Sequence, residues 1–426
     1  MNFEKICVLG LGYIGLPTAA TLAGKGVQVI GVDVDARVVN GLQNGHVHIH
    51  EEGLNTLVLS ALQSGRLTIR SAPEKADAFI ITVPTPFFED KRADMRAVIR
   101  AAESIASVLA HGNLVVLEST SPPRTTRELI VPILERSGLK AGQDFYVVYS
   151  PERVLPGQIL RELVENARVI GGIDLASAQA GEGLYRIFVR GQIVLTDCTT
   201  AEMIKLMENT YRDINIAIAN EFSRLADYFG IDVWEAVRIA NLHPRVNILQ
   251  PGPGVGGHCI SVDPWFLVEA APHLTPLIRT ARQVNDAQPR YVFQLVERAA
   301  GGSLAGRRIG ALGLSYKANV DDLRESPAIQ AACLLKEAGA DVVAYEPNKP
   351  NAILEGIKTV DALQPVLDHA ELLLLLVGHD AFRQLHPQEL ARRTQARLLV
   401  DCVNAWTDPA WQRAGFEVHR LGVRKD

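Results

Sequence analysis

The stretch 5-KICVLGLGYIGLP-17 decides the fold. A short β-branched run, 5-KICVLG-10, leads into 10-GLGYIG-15, which spaces three glycines as G-x-G-x-x-G ahead of a helical run. Strand, glycine turn and helix start, in that order, let backbone N–H groups approach a pyrophosphate closely, so Gly10, Gly12 and Gly15 form a candidate cradle. Asp33 closes the next strand-like run, 27-VQVIGVD-33. A carboxylate there accepts hydrogen bonds from ribose hydroxyls and repels a 2′-phosphate, so the expected cofactor is NAD and not NADP. The competing reading is a glycine turn with an incidental acid.

Working outward, 77-DAFIITV-83, 113-NLVVLES-119 and 145-FYVVYS-150 read as further strands without polar alternation, hence buried on both faces. Amphipathic stretches such as 93-ADMRAVIRAAESIASVLA-110 lie between them. This alternation predicts a doubly wound parallel sheet. From Thr200 to Gly230 the chain has no internal glycine or proline and repeats apolar residues at helical spacing. One helix of about 30 residues, about 45 Å long, is expected there, stopped by Gly230. A second helix is expected over 232-DVWEAVRIAN-241. Strand-like runs return at 307-RRIGALGL-314, 340-ADVVAYEP-347, 371-ELLLLLVG-378 and 397-RLLVDC-402. The expectation is therefore an α/β chain of two doubly wound Rossmann-like domains, 1–198 and 305–426, joined by a helical central domain, 199–304, with one long helix.

Bulk properties agree. A chain of 426 residues with 47% hydrophobic and 21% charged residues is expected to be globular with more than one core. A formal net charge of −5 speaks against a nucleic-acid binder. The five cysteines are scattered with no C-x-x-C, which argues against a disulfide framework or a zinc site and for a reducing compartment. The start reads as no signal peptide, and 371-ELLLLLV-377 is far short of the ~20 residues that span a bilayer. A cytoplasmic location, without membrane or metal, is expected.

Several stretches carry candidate chemistry. In 252-GPGVGGHCISVDPW-265, four glycines in six positions precede Cys259, and Asp263 follows four residues later. The thiol is a nucleophile or a small buried apolar residue; the latter is the commoner case. Lys205, Asn209 and Arg212 share a face of the long helix, either as a solvated stripe or aimed at a ligand. Glu152 in 150-SPERVLP-156 and Thr120 in 118-ESTSPPRTT-126 follow strand ends, where ligands bind in open α/β sheets. In 310-GALGLSYKANVDDLRESPA-328 the glycine pattern is incomplete, and Lys317 and Arg324 suggest a nucleotide-phosphate site as readily as an ordinary charged loop. His46, His48 and His50 alternate, which suggests a metal or, more simply, a polar loop.

Taken in order, GLGYIGLP at 10–17, VPTP at 83–86, ESTSP at 118–122, SPERVLPGQ at 150–158, AEMIKLMENTYRDINIAIANE at 201–221, HPRVNILQPGPGVGGHCISVDPW at 243–265 and YKANVDDLRESPA at 316–328 resemble the NAD-dependent nucleotide-sugar 6-dehydrogenases. The resemblance spans nearly the whole chain. It implies oxidation of the C6 alcohol of a UDP-sugar, here a UDP-amino sugar, to a carboxylate with Cys259 as nucleophile. It further implies Lys205 for oxyanion stabilisation, Asp263 to order water and polarise the lysine, Asn209 as a substrate partner, and Glu152 as a candidate base for thioester hydrolysis. Arg153, Val154, Arg212, His243, Arg245 and Gly256 match substrate positions, and Tyr316 and Lys317 match uridine-diphosphate contacts. Tyr13, Ile14, Asp33, Thr85 and Thr126 match NAD contacts, as does Arg324. The long helix resembles a homodimer core, with Arg245 reaching the neighbouring subunit's site. Two departures stand out: Arg124 replaces a usual glycine, and 401-DCVNAW-406 offers no C-terminal substrate arginine. A one-step hydroxyacid or polyol dehydrogenase, or a silent NAD-binding regulator, are the alternatives. The first leaves Cys259 without purpose. The second predicts losses among Lys205, Asn209, Cys259 and Asp263, and all four are present.

Overall fold

The computed structural model describes residues 3–155, 157–257, 259–350, 352–354 and 356–424. Compactness divides the chain into two units. The first comprises 1–208 and 265–272, the second 209–264 and 273–426. The middle stretch expected as a helical domain is thus shared between them.

In the first unit, β1 (Lys5–Leu9), β2 (Gln28–Val32), β3 (Leu67–Arg70), β4 (Ala78–Ile81), β5 (Leu114–Leu117), β6 (Tyr146–Tyr149), β7 (Arg168–Gly172) and β8 (Ile193–Asp197) form one sheet. Its order is β3-β2-β1-β4-β5-β6-β7-β8. Strand neighbours are parallel except β6 and β7, which run antiparallel. The side chains explain why these strands lack polar alternation. Ile6 and Val8 enter one apolar cluster, Cys7 and Leu9 another on the opposite face. Helices cover both faces, as a doubly wound sheet requires.

The second unit carries β9 (Arg308–Leu312), β10 (Asp341–Tyr345), β11 (Lys358–Val360), β12 (Leu372–Leu375), β13 (Leu398–Asp401) and β14 (Glu417–Arg420). They order as β11-β10-β9-β12-β13-β14, all parallel. The leucine run resolves in the same way: Leu372 and Leu374 face one cluster, Leu373 and Leu375 the other. In both sheets the order reverses beside the first strand, at β1/β4 and at β9/β12. Ligands of open α/β sheets bind at such a reversal.

The long helix runs Cys198–Phe229 and ends at Gly230, whose φ of 71° suits only glycine well. Val233–Ala240 forms the second expected helix, capped by the Asp232 side chain. Within the second unit a buried polar layer fixes the long helix. Arg282 donates to Asp213 at 2.5 Å, Asn285 to Asp213 at 2.8 Å, and Asn220 to Asn285 at 2.9 Å. Asn220 Oδ1 in turn accepts from the Gly252 N–H, so this layer anchors the start of the glycine-rich loop. Among the described residues no helix is long and apolar enough to cross a membrane.

Candidate active site

The three glycines after β1 have three different surroundings. Gly10 has φ 93°, and a Cβ there would lie 2.8 Å from the Thr82 carbonyl. A Cβ on Gly15 would lie 1.8 Å from the Gly10 carbonyl, so only glycine lets the helix Gly15–Gly24 start this close to the strand. Around Gly12 no atom lies within 4 Å of that position. The open side is where a pyrophosphate would approach, and the helix start has no side-chain cap competing for its N–H groups. Tyr13 and Ile14, half-buried, flank it. Asp33 braces the turn: its carboxylate accepts from the Leu11 and Asp35 N–H groups at 2.9 Å each. Each oxygen keeps acceptor capacity for a ribose hydroxyl. Asp33→Ala is therefore expected to weaken NAD binding by about 1.5–3 kcal/mol and to narrow the preference over NADP. Titration with both cofactors checks this; an unchanged preference would separate Asp33 from the ribose.

Thr85 and Thr120 sit half-buried in the loops after β4 and β5, which Ser119 ties together by donating to the Val83 carbonyl at 2.7 Å. Thr126 is fully buried, and its N–H and hydroxyl both donate to Glu202 on the long helix, at 2.7 and 2.6 Å. The same carboxylate accepts from the Arg124 N–H at 2.6 Å. Arg124 has φ 75°, the left-handed conformation a glycine would adopt, so this departure leaves the turn's shape intact. Burial pushes Glu202 up to about 6, opposed by the bonds from Thr126 and Arg124. Sequence reasoning missed Glu202.

Glu152 follows β6. Its Oε2 accepts from Arg168 Nη1 at 2.7 Å and its Oε1 from the Arg153 N–H at 2.6 Å. The Arg153 guanidinium is committed to Glu208 at 2.8 Å and to the Ala167 carbonyl, while Val154 packs against the core. Glu51 secures the same loop by accepting from the Gly157 and Ile159 N–H groups at 2.8 Å each. That gives the histidine-bearing segment a buttressing role. His46, His48 and His50 themselves are exposed, and among the described residues no cluster could hold a metal ion.

On the long helix the solvated-stripe reading fails for two of three residues. Lys205 is 9% and Asn209 7% exposed, whereas Arg212 is exposed. The Lys205 side chain makes no hydrogen bond or ion pair among the described residues, while most of its surface is packed away from solvent.

In the second unit Asn209 donates to Asp263 at 2.5 Å, and Asp263 is 1% exposed. Asp263 opens the helix Asp263–Ala270, and its N–H and that of Val262 both donate to the Cys259 carbonyl, at 2.8 and 3.0 Å. The half-buried thiol thus rides on a tight turn fixed from its C-terminal side. On its N-terminal side the glycines serve the chain's own packing. A Cβ on Gly254 would lie 2.9 Å from Pro327, on Gly256 2.5 Å from the Glu325 carbonyl, and on Gly257 2.9 Å from the Tyr316 ring. Around Gly252, by contrast, no atom lies within 4 Å of that position. Gly257→Ala, at φ 78°, is expected to cost about 1–3 kcal/mol of stability through strain and overpacking. Thermal unfolding checks it; unchanged stability with lost sugar binding would return the space to the substrate.

That packing sets Tyr316 beside the thiol. Burial raises the Tyr316 phenol, Asp322 and Cys259 add to the rise, and Arg324 and Arg212 oppose it. Lys317 is exposed, and exposed Arg324 forks onto Asp322 at 2.6 Å. The second sheet also has an acid where Asp33 stands in the first. Glu346 accepts from the Leu314 and Ser315 N–H groups at 2.7 and 2.9 Å, but it is 2% exposed and bonded to His379 at 3.1 Å. His379 Nδ1 accepts from the Asn319 N–H at 2.9 Å, fixing the loop that carries Tyr316 and Lys317. Sealed in this way, Glu346 is not open to a ribose as the half-buried Asp33 is. His243 and Arg245 lie in an exposed segment after Ala240.

Hydride chemistry on a dinucleotide is what the first unit's glycine turn is shaped for, so the class is that of an NAD-dependent oxidoreductase. The chain belongs to the UDP-glucose/GDP-mannose dehydrogenase family, matching its NAD binding domain over residues 4–189, its central domain over 199–287 and its UDP binding domain over 310–408. It is an NAD-dependent nucleotide-sugar dehydrogenase. It is 48% identical to an NDP-N-acetyl-D-galactosaminuronic acid dehydrogenase of Ralstonia solanacearum, covering 96% of this chain and 97% of that protein. It is 44% identical to a UDP-N-acetyl-D-mannosamine dehydrogenase of Methanocaldococcus jannaschii, covering 99% and 97%. The solved structure of the UDP-D-ManNAc dehydrogenase of Pyrococcus horikoshii superposes with a TM-score of 0.92 at 38% identity, covering 99% and 100%.

Proposed function

We propose that this chain oxidises the C6 alcohol of UDP-N-acetyl-D-mannosamine to the uronic acid in two NAD-linked steps, through a thioester on Cys259. The observation that carries the mechanism is the thiol held on a turn between the Asn209–Asp263 pair and Tyr316. NAD, when bound, accepts the hydride in each oxidation, and in the first the proton of the C6 hydroxyl passes to a water ordered by Asp263. The aldehyde formed first has no hydride in position to leave until a nucleophile adds to it. The Cys259 thiolate supplies that addition at C6, giving a thiohemiacetal alkoxide. Lys205 stabilises the alkoxide, and collapse with loss of the second hydride leaves the thioester. Glu152 takes a proton from the water that attacks this carbonyl; the C–S bond breaks and the thiolate returns.

The sugar rests on family likeness and on 150-SPERVLPGQ-158 and 243-HPRVNILQPGPG-254, which resemble the mannosamine enzyme more than the glucose enzyme. The identity to the Ralstonia protein supports a second reading, an N-acetylgalactosamine-type sugar. Assays with UDP-N-acetylmannosamine, UDP-N-acetylglucosamine, UDP-N-acetylgalactosamine and UDP-glucose decide. Equal or better kcat/KM on a competitor overturns the mannosamine assignment.

We also propose a homodimer through the long helix, in the reducing cytoplasm that the scattered cysteines suggest. Met203, Met207, Tyr211, Ile218, Phe222 and Leu225 are exposed at helical spacing. Tyr211 alone is 69% exposed. Arg245, exposed, then serves the neighbouring subunit's site.

A further inference from the structure

Behind Glu152 lies a second carboxylate that the mechanism above does not use. Glu118, at the end of β5, is 3% exposed, and Arg168 on β7 is 5% exposed. Arg168 spreads its guanidinium over three acceptors: Glu152 at 2.7 Å, Ser150 at 3.0 Å, and Glu118 in close contact. It lies over the Tyr185 ring at 4.2 Å, and the Tyr185 hydroxyl donates to the same Glu118 oxygen. The other oxygen, Oε2, is buried without a hydrogen-bond partner among the described residues. Two carboxylates thus share one buried cation.

We propose that Glu118 is a positioning residue for Glu152, acting through Arg168. Ionised Glu118 takes one arm of the guanidinium and part of its charge, and its own charge disfavours a second anion nearby. Glu152 is then the stronger base. Protonated Glu118 leaves the cation to Glu152, which becomes the weaker base. Burial pushes Glu118 up to about 7, Arg168 opposes the rise and Glu152 adds to it, so the switch falls near neutrality. The groups facing the pair are Arg168, Tyr185 and Ser150. The Arg153 guanidinium beside Glu152 is turned to Glu208.

The inference rests on Glu152 as the hydrolytic base, and the test separates the two. Wild type is mixed with UDP-sugar and NAD in a single turnover, and the step from thioester to uronic acid is followed by quenching across neutral pH. The rate is expected to rise through an inflection near neutrality. Glu118→Gln loses that inflection and runs several-fold slower above it, while formation of the first NADH is unchanged. Tyr185→Phe keeps the fold and moves the inflection to higher pH, because the ionised carboxylate loses a hydrogen bond. An inflection that stays in Glu118→Gln, or does not move in Tyr185→Phe, overturns the proposal. Glu152→Gln is the control: a wild-type hydrolysis rate there overturns the base assignment itself, and the role of Glu118 with it.

Discussion

Cys259→Ser is expected to abolish formation of the uronic acid while leaving binding of the UDP-sugar nearly intact. A serine hydroxyl is far less ionised than a thiol near neutral pH, so the adduct needed for the second hydride transfer does not accumulate. The turn around residue 259 is held by backbone bonds from Val262 and Asp263 to its carbonyl, which serine preserves. The loss therefore belongs to the sulfur and not to the fold. Isothermal titration with UDP-sugar and an NADH assay read the two halves. A variant that still makes two NADH per sugar near the wild-type rate would remove Cys259 from the chemistry.

Lys205→Met should lower kcat by about 10²–10³, or about 2.7–4 kcal/mol, the range for losing one oxyanion donor. The same change should leave the melting temperature unchanged or raise it. Lys205 is 9% exposed without an ion pair among the described residues, so an apolar side chain of similar length is the better core residue. Activity and stability moving in opposite directions is the signature. A fall in both makes Lys205 an ordinary structural residue.

Much of the fold was legible because strands buried on both faces must be apolar throughout. β1, β2, β4, β5 and β6 lie within the runs read from sequence, as do β9, β10, β12 and β13. The strands that escaped carry the opposite signal. β7 is RVIGG with two glycines, β8 is half exposed, and β3, β11 and β14 are short edge or near-edge strands with polar residues. The site was legible where one segment holds both partners of a motif, as in GLGYIG with Asp33. It was illegible where partners meet from afar. Glu118 and Arg168 are 50 residues apart, Glu202 and Thr126 76 apart, and Glu346 and His379 33 apart. No periodicity marks such pairs; only folding makes them neighbours. The glycines before Cys259 show the converse, a visible motif whose reason, the Tyr316 ring and Pro327, lies about 60 to 70 residues on.

The central claim is a four-electron oxidation on one thiol, and NADH counted against UDP-sugar consumed tests it most directly. With purified protein and limiting UDP-N-acetylmannosamine, two NADH per sugar are predicted, together with one uronic acid. One NADH per sugar, with aldehyde or ketone as product, would contradict the account and make this a one-step dehydrogenase; none would make it a binder of NAD without catalysis.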